Sequence, residues 1–576
     1  MKKLLFSLVS MRSRKTDSVG RLILAKTVGI IFFVCIAALI SSFAQTFTTL
    51  ASFDGTDGAT ANPALLLAQG VNGNFYGATN FGGTSNNCSA LGNGCGTIFE
   101  ITPSGTLSSL DSFTRLTYAS SLIQATDGNL YGTTEFGGGF GTVFKISPSG
   151  ALTTVYSFTD GADGGYPVAG LVQGADGAFY GTTLGGGTST NCSGGCGTVF
   201  RINASGKLTT LHSFESTDGE GPYGALIQAT DGIFYGTTYF GGTSTNCSSG
   251  CGTVFKVNLA GTLTTLHSFD VTDGAHPFFG NDLIQATNGN FYGTTNHGGA
   301  ITSDCPSGCG TVFRITPSGT LTTLHNFAFT DGGYPGGLVQ ATDGNFYGTT
   351  QAGSGLGTIF KMTPSGTLTT LHSFNLTDGD CPSVGLLQAT DGNFYGTTFG
   401  GCSTNSSNGT VYSLSVGLGP FVKTLLTSGK VSSAVEILGT NLTGATSVAF
   451  NGTTAAFTVV SSSEITTSVP AGATTGTVQV VTPTGTLSSN VIFRVIPQIK
   501  SFTPPSGPVG TVVTITGVSL TQTRGVTFGG VKATSFTVNS DTQVTATVPT
   551  GAKTGTIAIG TPGGTAVSAK SFTVTP

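Results

Sequence analysis

Residues 338–374 read LVQATDGNFYGTTQAGSGLGTIFKMTPSGTLTTLHSF, two tight turns set among runs of β-branched and aromatic residues. ATDGN at 341–345 puts Asp-Gly at the centre of a two-residue hairpin, where positive φ is expected at both central residues. TPSG at 363–366 offers Pro where φ of about −65° is wanted and Gly for the left-handed residue closing a longer hairpin. The segments flanking each turn are therefore antiparallel neighbours, and the stretch reads as four strands. In TLTTLHSF the apolar residues fall at i, i+3 and i+6, a spacing that resembles a helix. Thr content, short length and the bounding turns make it a strand, expected to be covered on both faces by neighbouring sheets.

The whole phrase recurs. Its Tyr-Gly step stands at Tyr76, Tyr131, Tyr180, Tyr235, Tyr292, Tyr347 and Tyr395, at spacings of 48 to 57 residues. The variation lies in the Gly-rich stretch and in the stretch around TDG, as expected of surface loops. Four antiparallel strands in about 50 residues, repeated in this way, are the arithmetic of an all-β, seven-bladed β-propeller. The series opens on a TLTTLHSF-type strand at 47–53 and closes on a GTVF-type strand at 409–416. If the TDG loop crosses between blades, the first strand must complete the last blade and remove two open edges. An open β-solenoid is the alternative, and it would need end caps.

Among 576 residues, 90 are Gly, 40 Phe and 14 Tyr, Trp is absent and charged residues make up 8%. This is the composition of strands and tight turns with ample aromatic core. A net charge of −4 with thinly spread Lys and Arg provides no basic stripe, which argues against nucleic acid and anionic membrane as partners. Basic residues from Lys2 to Lys26, an apolar run at 28–40 and Ser42-Phe43-Ala44 make residues 1–44 an expected signal peptide, cleaved after Ala44. An uncleaved anchor is the alternative, although the run is short of the ~20 residues of a span. Apart from Cys35 in that run, ten cysteines remain. Five disulfides are expected: Cys88–Cys95, Cys192–Cys196, Cys247–Cys251, Cys305–Cys309 and Cys381–Cys402. Zinc is the alternative, but each loop offers only two thiols.

From residue 417 a slower repeat begins, in which Gly439, Phe450, Pro470 and Pro483 are answered by Gly517, Phe528, Pro549 and Pro562. Two β-sandwiches are expected, at 417–496 and 497–576. The second, with IKSFTPPSGPVGTVVTITGVSL, VTFGG and VTATVPTGAKTGTIAIGTPGG, closely resembles the IPT/TIG immunoglobulin-like family. The first keeps VAFNG and ITTSVPAGATTGTVQVVTP and is read as having lost the opening Pro-x-Ser-Gly. The propeller region, 45–416, resembles the GloVer tandem repeat of bacterial choice-of-anchor proteins through ATDGNFYGTT and GTVFKITPSGTLTTLHSF. That resemblance implies bacterial export and often a C-terminal anchoring device. The closing FTVTP is a strand without an apolar helix or basic tail, so an anchor is not expected there. The resemblance assigns no catalytic residue.

His212, His267, His325 and His372 share one repeat position and read as packing residues, whereas His276 and His297 are singletons in long loops and stand as the binding candidates. Asp127, Asp176, Asp231, Asp343 and Asp391 belong to hairpin turns. The TDG loops carry Asp54, Asp57, Asp160, Asp163, Asp218, Asp273, Asp331 and Asp378, where turn chemistry is preferred over Ca²⁺ because one carboxylate per loop is too few. No catalytic residue, metal or cofactor is assigned. The expectation is a secreted or cell-surface, monomeric binding or adhesion protein, recognising glycan or protein through the long-loop face. A secreted hydrolase or lyase acting on carbohydrate and a structural envelope component are the alternatives.

Overall fold

The computed structural model describes residues 45–576 apart from 62–65, 86, 89–93, 116, 279–282, 354, 383–384 and 401–407. The expected signal segment and Cys402 lie outside the described residues. Those described contain no helix. Within the repeat region they form seven sheets, most running from a two- or three-residue inner strand outward, as in Val172–Gln173, Phe179–Thr183, Thr198–Ile202 and Leu208–Ser213, the sixth from the longer Gly333–Gln340. The strand Thr46–Ser52 pairs with Thr410–Ser415 as the outer strand of the last sheet, so the TDG stretch is the crossing and the two ends of the repeat region are clasped.

Local chemistry explains the repeat almost residue by residue. At ATDGN only the glycine takes positive φ, for example 81° at Gly128. Asp is not left-handed there, contrary to the expected two-residue hairpin. The turn is a three-residue loop, with Gly128 N–H donating to Ala125 O at 3.0 Å and Ala125 N–H to Asn129 O at 2.9 Å. Asp is retained for its side chain: the Asp127 carboxylate accepts the Asn129 N–H at 3.1 Å and the Tyr131 hydroxyl at 2.7 Å. The glycine of the Tyr-Gly step has another role, since a Cβ on Gly132 would sit 2.8 Å from the Phe144 ring lying across it.

The TLTTLHSF strand is also corrected. It is the outermost strand and half exposed, not covered on both faces. Its register skips Leu211, since Phe200 pairs with Thr210 and Val199 with His212. This bulge inserts one residue and changes the alternation, so apolar residues three apart can share a face.

Three sets of contacts join neighbouring sheets. Tyr131 stacks on Phe179 at 4.1 Å, Tyr180 on Phe234 at 4.0 Å, and so on to Tyr395 on Phe75 at 4.0 Å. The Phe ending each outer strand meets the third-strand ring of the next sheet, as Phe214 with Phe255 at 5.2 Å and Phe53 with Phe99 at 5.1 Å. The glutamine closing each inner strand accepts a backbone N–H from the hairpin turn of the preceding sheet. Gln124 bonds Val71 at 2.7 Å, Gln173 Thr126 at 3.1 Å, Gln228 Ala175 at 3.1 Å and Gln285 Thr230 at 2.7 Å. Gln340 bonds Thr287 at 2.9 Å, Gln388 Thr342 at 3.1 Å, and Gln69 returns to Thr390 at 3.2 Å. The last sheet thus meets the first.

Beyond the ring lie two β-sandwiches with separate cores, one built on Ile437, Phe450, Ile465 and Phe493, the other on Ile515, Phe528, Val544 and Phe572. In the second, Ser506–Gly507 runs parallel to Thr573–Val574. In the first, Ser428–Gly429 runs parallel to Arg494–Val495. The first copy has therefore kept its Ser-Gly and lost only the proline.

Gln228→Leu removes the acceptor for Ala175 N–H and is expected to cost about 1–3 kcal/mol; urea unfolding of both proteins measures it, and an unchanged midpoint would count against the glutamine ring. Deleting residues 45–52 exposes the edge of Thr410–Ser415 and is expected to lower the melting temperature and promote self-association, read by light scattering.

Candidate functional site

Most of the conspicuous polar residues are consumed by the scaffold. His212 Nε2 lies 2.9 Å from Asp218 Oδ2, His267 2.7 Å from Asp273, His325 3.0 Å from Asp331 and His372 3.0 Å from Asp378. The other carboxylate oxygen accepts a backbone N–H three residues back, from Glu215 to Asp218 at 2.8 Å for instance. In the second sheet Tyr156 takes the histidine's part, its hydroxyl donating to Asp163 at 3.0 Å. Each pair clamps a TDG crossing to the outer strand before it. Asp54 closes its own turn, and its carboxyl is held down to about 2 by the Thr56 hydroxyl and neighbouring backbone N–H groups. These carboxylates are engaged with the protein, and no three His, Cys, Asp or Glu among the described residues gather as a metal site.

A different series remains. One residue at six of the seven crossings takes positive φ: Tyr118 at 44°, Tyr166 at 59°, Gly221 at 58°, His276 at 55°, Tyr334 at 55° and Cys381 at 49°. Only Gly does so without strain, so five side chains are held in a conformation costing on the order of 1–3 kcal/mol each. Two backbone bonds fix it. His276 N–H donates to Cys251 O of the preceding sheet at 2.8 Å, and its own carbonyl accepts Asn296 N–H at 3.1 Å. Gly221 bonds Cys196 O at 3.0 Å and Tyr334 bonds Cys309 O at 2.9 Å in the same way.

The disulfides act here. Cys88–Cys95, Cys192–Cys196, Cys247–Cys251 and Cys305–Cys309 close loops with Cα atoms 5.2 or 5.3 Å apart. In the last three, the second cysteine is buried and its carbonyl is the acceptor for the residue at positive φ. Tyr166 and Cys381 find the same acceptor without a cysteine pair, in Phe140 O at 2.7 Å and Leu356 O at 2.8 Å. The expected fifth disulfide involves Cys402, outside the described residues.

The strained side chains meet aromatic rings that follow the second strands. Tyr118 contacts Phe81 at 5.7 Å and Phe136 at 5.4 Å, and Tyr166 contacts Phe140 at 5.7 Å. His276 stacks on Tyr239 at 4.7 Å, Tyr239 meets Tyr223 at 5.2 Å and Phe278 at 5.2 Å, and His297 meets Tyr334 at 5.5 Å. The two singleton histidines are brought together, with ring centres 5.8 Å apart. His276 Nδ1 lies 2.9 Å from Tyr239 O. His297 Nδ1 is buried without a hydrogen-bond partner, and burial, then His276, push its pKa down. Beside Tyr118 and Tyr223 sits Glu135, whose carboxyl burial pushes up to about 7. The sequence reading missed Tyr118, Tyr166, Tyr334 and Glu135. The signal was a bulky residue before proline, as in Tyr166-Pro167, His276-Pro277 and Tyr334-Pro335.

The profile of the Gloeobacter/Verrucomicrobia repeat matches residues 87–304 and again 244–459. The chain belongs to this repeat family. An IPT/TIG domain matches residues 497–574, and no curated protein matches the chain. Similar solved structures include a streptogramin B lyase, at 14% identity over 65% of this chain and 99% of the other with a TM-score of 0.45. Virginiamycin B lyase from Staphylococcus aureus follows at 13%, 64%, 99% and 0.44. The surface glycan-binding protein PbSGBP-B from Prevotella bryantii is 21% identical over 26% of this chain and 38% of the other, with a TM-score of 0.21.

In this Gloeobacter/Verrucomicrobia repeat protein Glu135 makes stability depend on pH. Its folded pKa of about 7 lies above the ordinary 4.5, so the folded state binds more protons and stability falls as pH rises between those values. Glu135→Gln is expected to exceed the parent by on the order of 1 kcal/mol at pH 8, after solvent screening, and to match it at pH 4. Urea unfolding at both pH values checks the difference.

Proposed function

We propose that this is a carbohydrate-binding protein of an extracytoplasmic surface, with its binding face formed by the aromatic residues between the crossings and the cysteine loops. The observation that carries the proposal is the strained position itself: Tyr118, Tyr166, His276 and Tyr334 repeat a costly backbone conformation and bring partly exposed rings together. Strain retained at equivalent positions is characteristic of functional surfaces. A sugar presents an apolar C–H face ringed by hydroxyls, which suits half-buried rings beside polar Glu135, His276 and His297. The sparse charge favours a neutral ligand, and four disulfides suit an oxidising compartment.

A second reading, a carbohydrate-degrading hydrolase or lyase, draws on Glu135 and His297, whose shifted pKa values lie near neutrality or below, as acid–base groups require. A glycan array probed with the whole chain tests the first reading. Tyr239→Ala is expected to weaken any hit about tenfold while the far-ultraviolet circular dichroism stays that of the parent. Uniform silence across the array overturns binding. Shortened or unsaturated products from a bound polysaccharide, lost in Glu135→Gln, favour the second reading.

A further inference from the structure

We propose that His276 and His297 form a binding site for a divalent transition-metal ion, zinc or copper. The inference goes beyond the carbohydrate reading and does not depend on it. These two are the histidines that the scaffold leaves over, since each of the four repeated ones has its Nε2 beside an aspartate of its own crossing. His276 Nδ1 lies 2.9 Å from Tyr239 O. A carbonyl can only accept, so Nδ1 carries the hydrogen and Nε2 keeps its lone pair. An imidazole pinned in this way on a backbone carbonyl has the tautomer and the orientation that metal-binding histidines owe to their outer-shell partners. His297 Nδ1 is buried and has no hydrogen-bond partner. With its hydrogen on Nε2 the ring offers a second lone pair, and a metal ion would supply the partner that this buried nitrogen lacks.

The spacing suits a shared ion. Imidazole nitrogen binds zinc at about 2.0–2.1 Å, which puts the centres of two imidazoles on one ion roughly 5–6 Å apart. The His276 and His297 ring centres are 5.8 Å apart, with the planes inclined at 83° rather than stacked. The backbone holds them there. His276 is fixed at a φ of 55° between Cys251 O and Asn296 N–H, and Ala275 beside it exchanges two bonds with His297, at 2.8 and 3.0 Å. A pair set in place by the fold has little freedom left to lose on binding. Tyr239 and Tyr334 flank it, with ring centres 4.7 Å from His276 and 5.5 Å from His297. Imidazole donors suit zinc and copper, whereas calcium and magnesium take oxygen. With no third His, Cys, Asp or Glu gathered there among the described residues, the other positions fall to water or to oxygens of a ligand, an open site rather than a closed structural one.

Calorimetric titration of the whole, tag-free chain with zinc chloride reads the site. Zinc is expected to saturate at one equivalent and to bind about tenfold or more weakly in His276→Gln and in His297→Gln, since loss of an inner ligand or of its support has effects of that order. Electron paramagnetic resonance of the parent with one equivalent of copper(II) needs no variant to fold, and splitting from two imidazole nitrogens is expected in its spectrum. Zinc that fails to saturate at one equivalent, zinc that binds parent and both variants alike, or a copper spectrum without nitrogen splitting overturns the proposal. No glycan is present in these measurements, so none of their outcomes bears on the carbohydrate reading.

Discussion

The glutamine that ends each inner strand is the constraint on which the rest depends. Its side-chain carbonyl accepts a backbone N–H from the turn of the preceding sheet, and the series closes when Gln69 bonds Thr390 across 321 positions of sequence. A hydrophobic interface between twisted sheets is tolerant of small rotations, because dispersion and burial are not directional. A hydrogen bond is directional, and its loss would leave a backbone donor unsatisfied. The seven bonds therefore set the position of each sheet against the next, and the Tyr–Phe stacks supply much of the buried area.

With the ring so fixed, the opposite ends of the strands can carry strain. Four crossings are clamped by His–Asp pairs, and residues such as His276 and Tyr334 that follow are bonded to a cysteine carbonyl of the preceding sheet, His276 also to its own second strand. The short disulfides close loops of few residues and constrain the unfolded chain less than long ones would. Their contribution lies in the folded state, where Cys247–Cys251 and Cys305–Cys309 steady the carbonyls that hold the backbone of His276 and Tyr334. The same rigidity defines the seam with the first sandwich, where Arg494 and Ser463 anchor that sandwich to turns already held by glutamine.

Much of the fold was legible in the sequence because its rules are local. Pro and Gly at TPSG, Asp-Gly at ATDGN and the count of Tyr-Gly steps announce hairpins and their number, whereas the clasp followed only if the TDG loop is the crossing, which the pairing of Thr46–Ser52 with Thr410–Ser415 decided. The errors were local too. Asp127 was read as a left-handed turn residue, although Gly128 alone takes that conformation and Asp127 serves through its carboxylate. The spacing of Leu208, Leu211 and Phe214 concealed a bulge, since a skipped residue changes alternation without leaving a composition signal.

The candidate site was less legible. His276 and His297 stood out as departures from the repeat, but Tyr118, Tyr166 and Tyr334 sit in crossings too variable to align by eye, and Glu135 is one of few acids without a turn to explain it. By itself the sequence determined the repeat, the places of its turns, four of the cysteine pairs and the two sandwiches, because each follows from residues close along the chain. Only the tertiary structure decided that rings from different sheets meet and that Glu135 is half-buried among them, because those properties arise from neighbours brought together by ring closure.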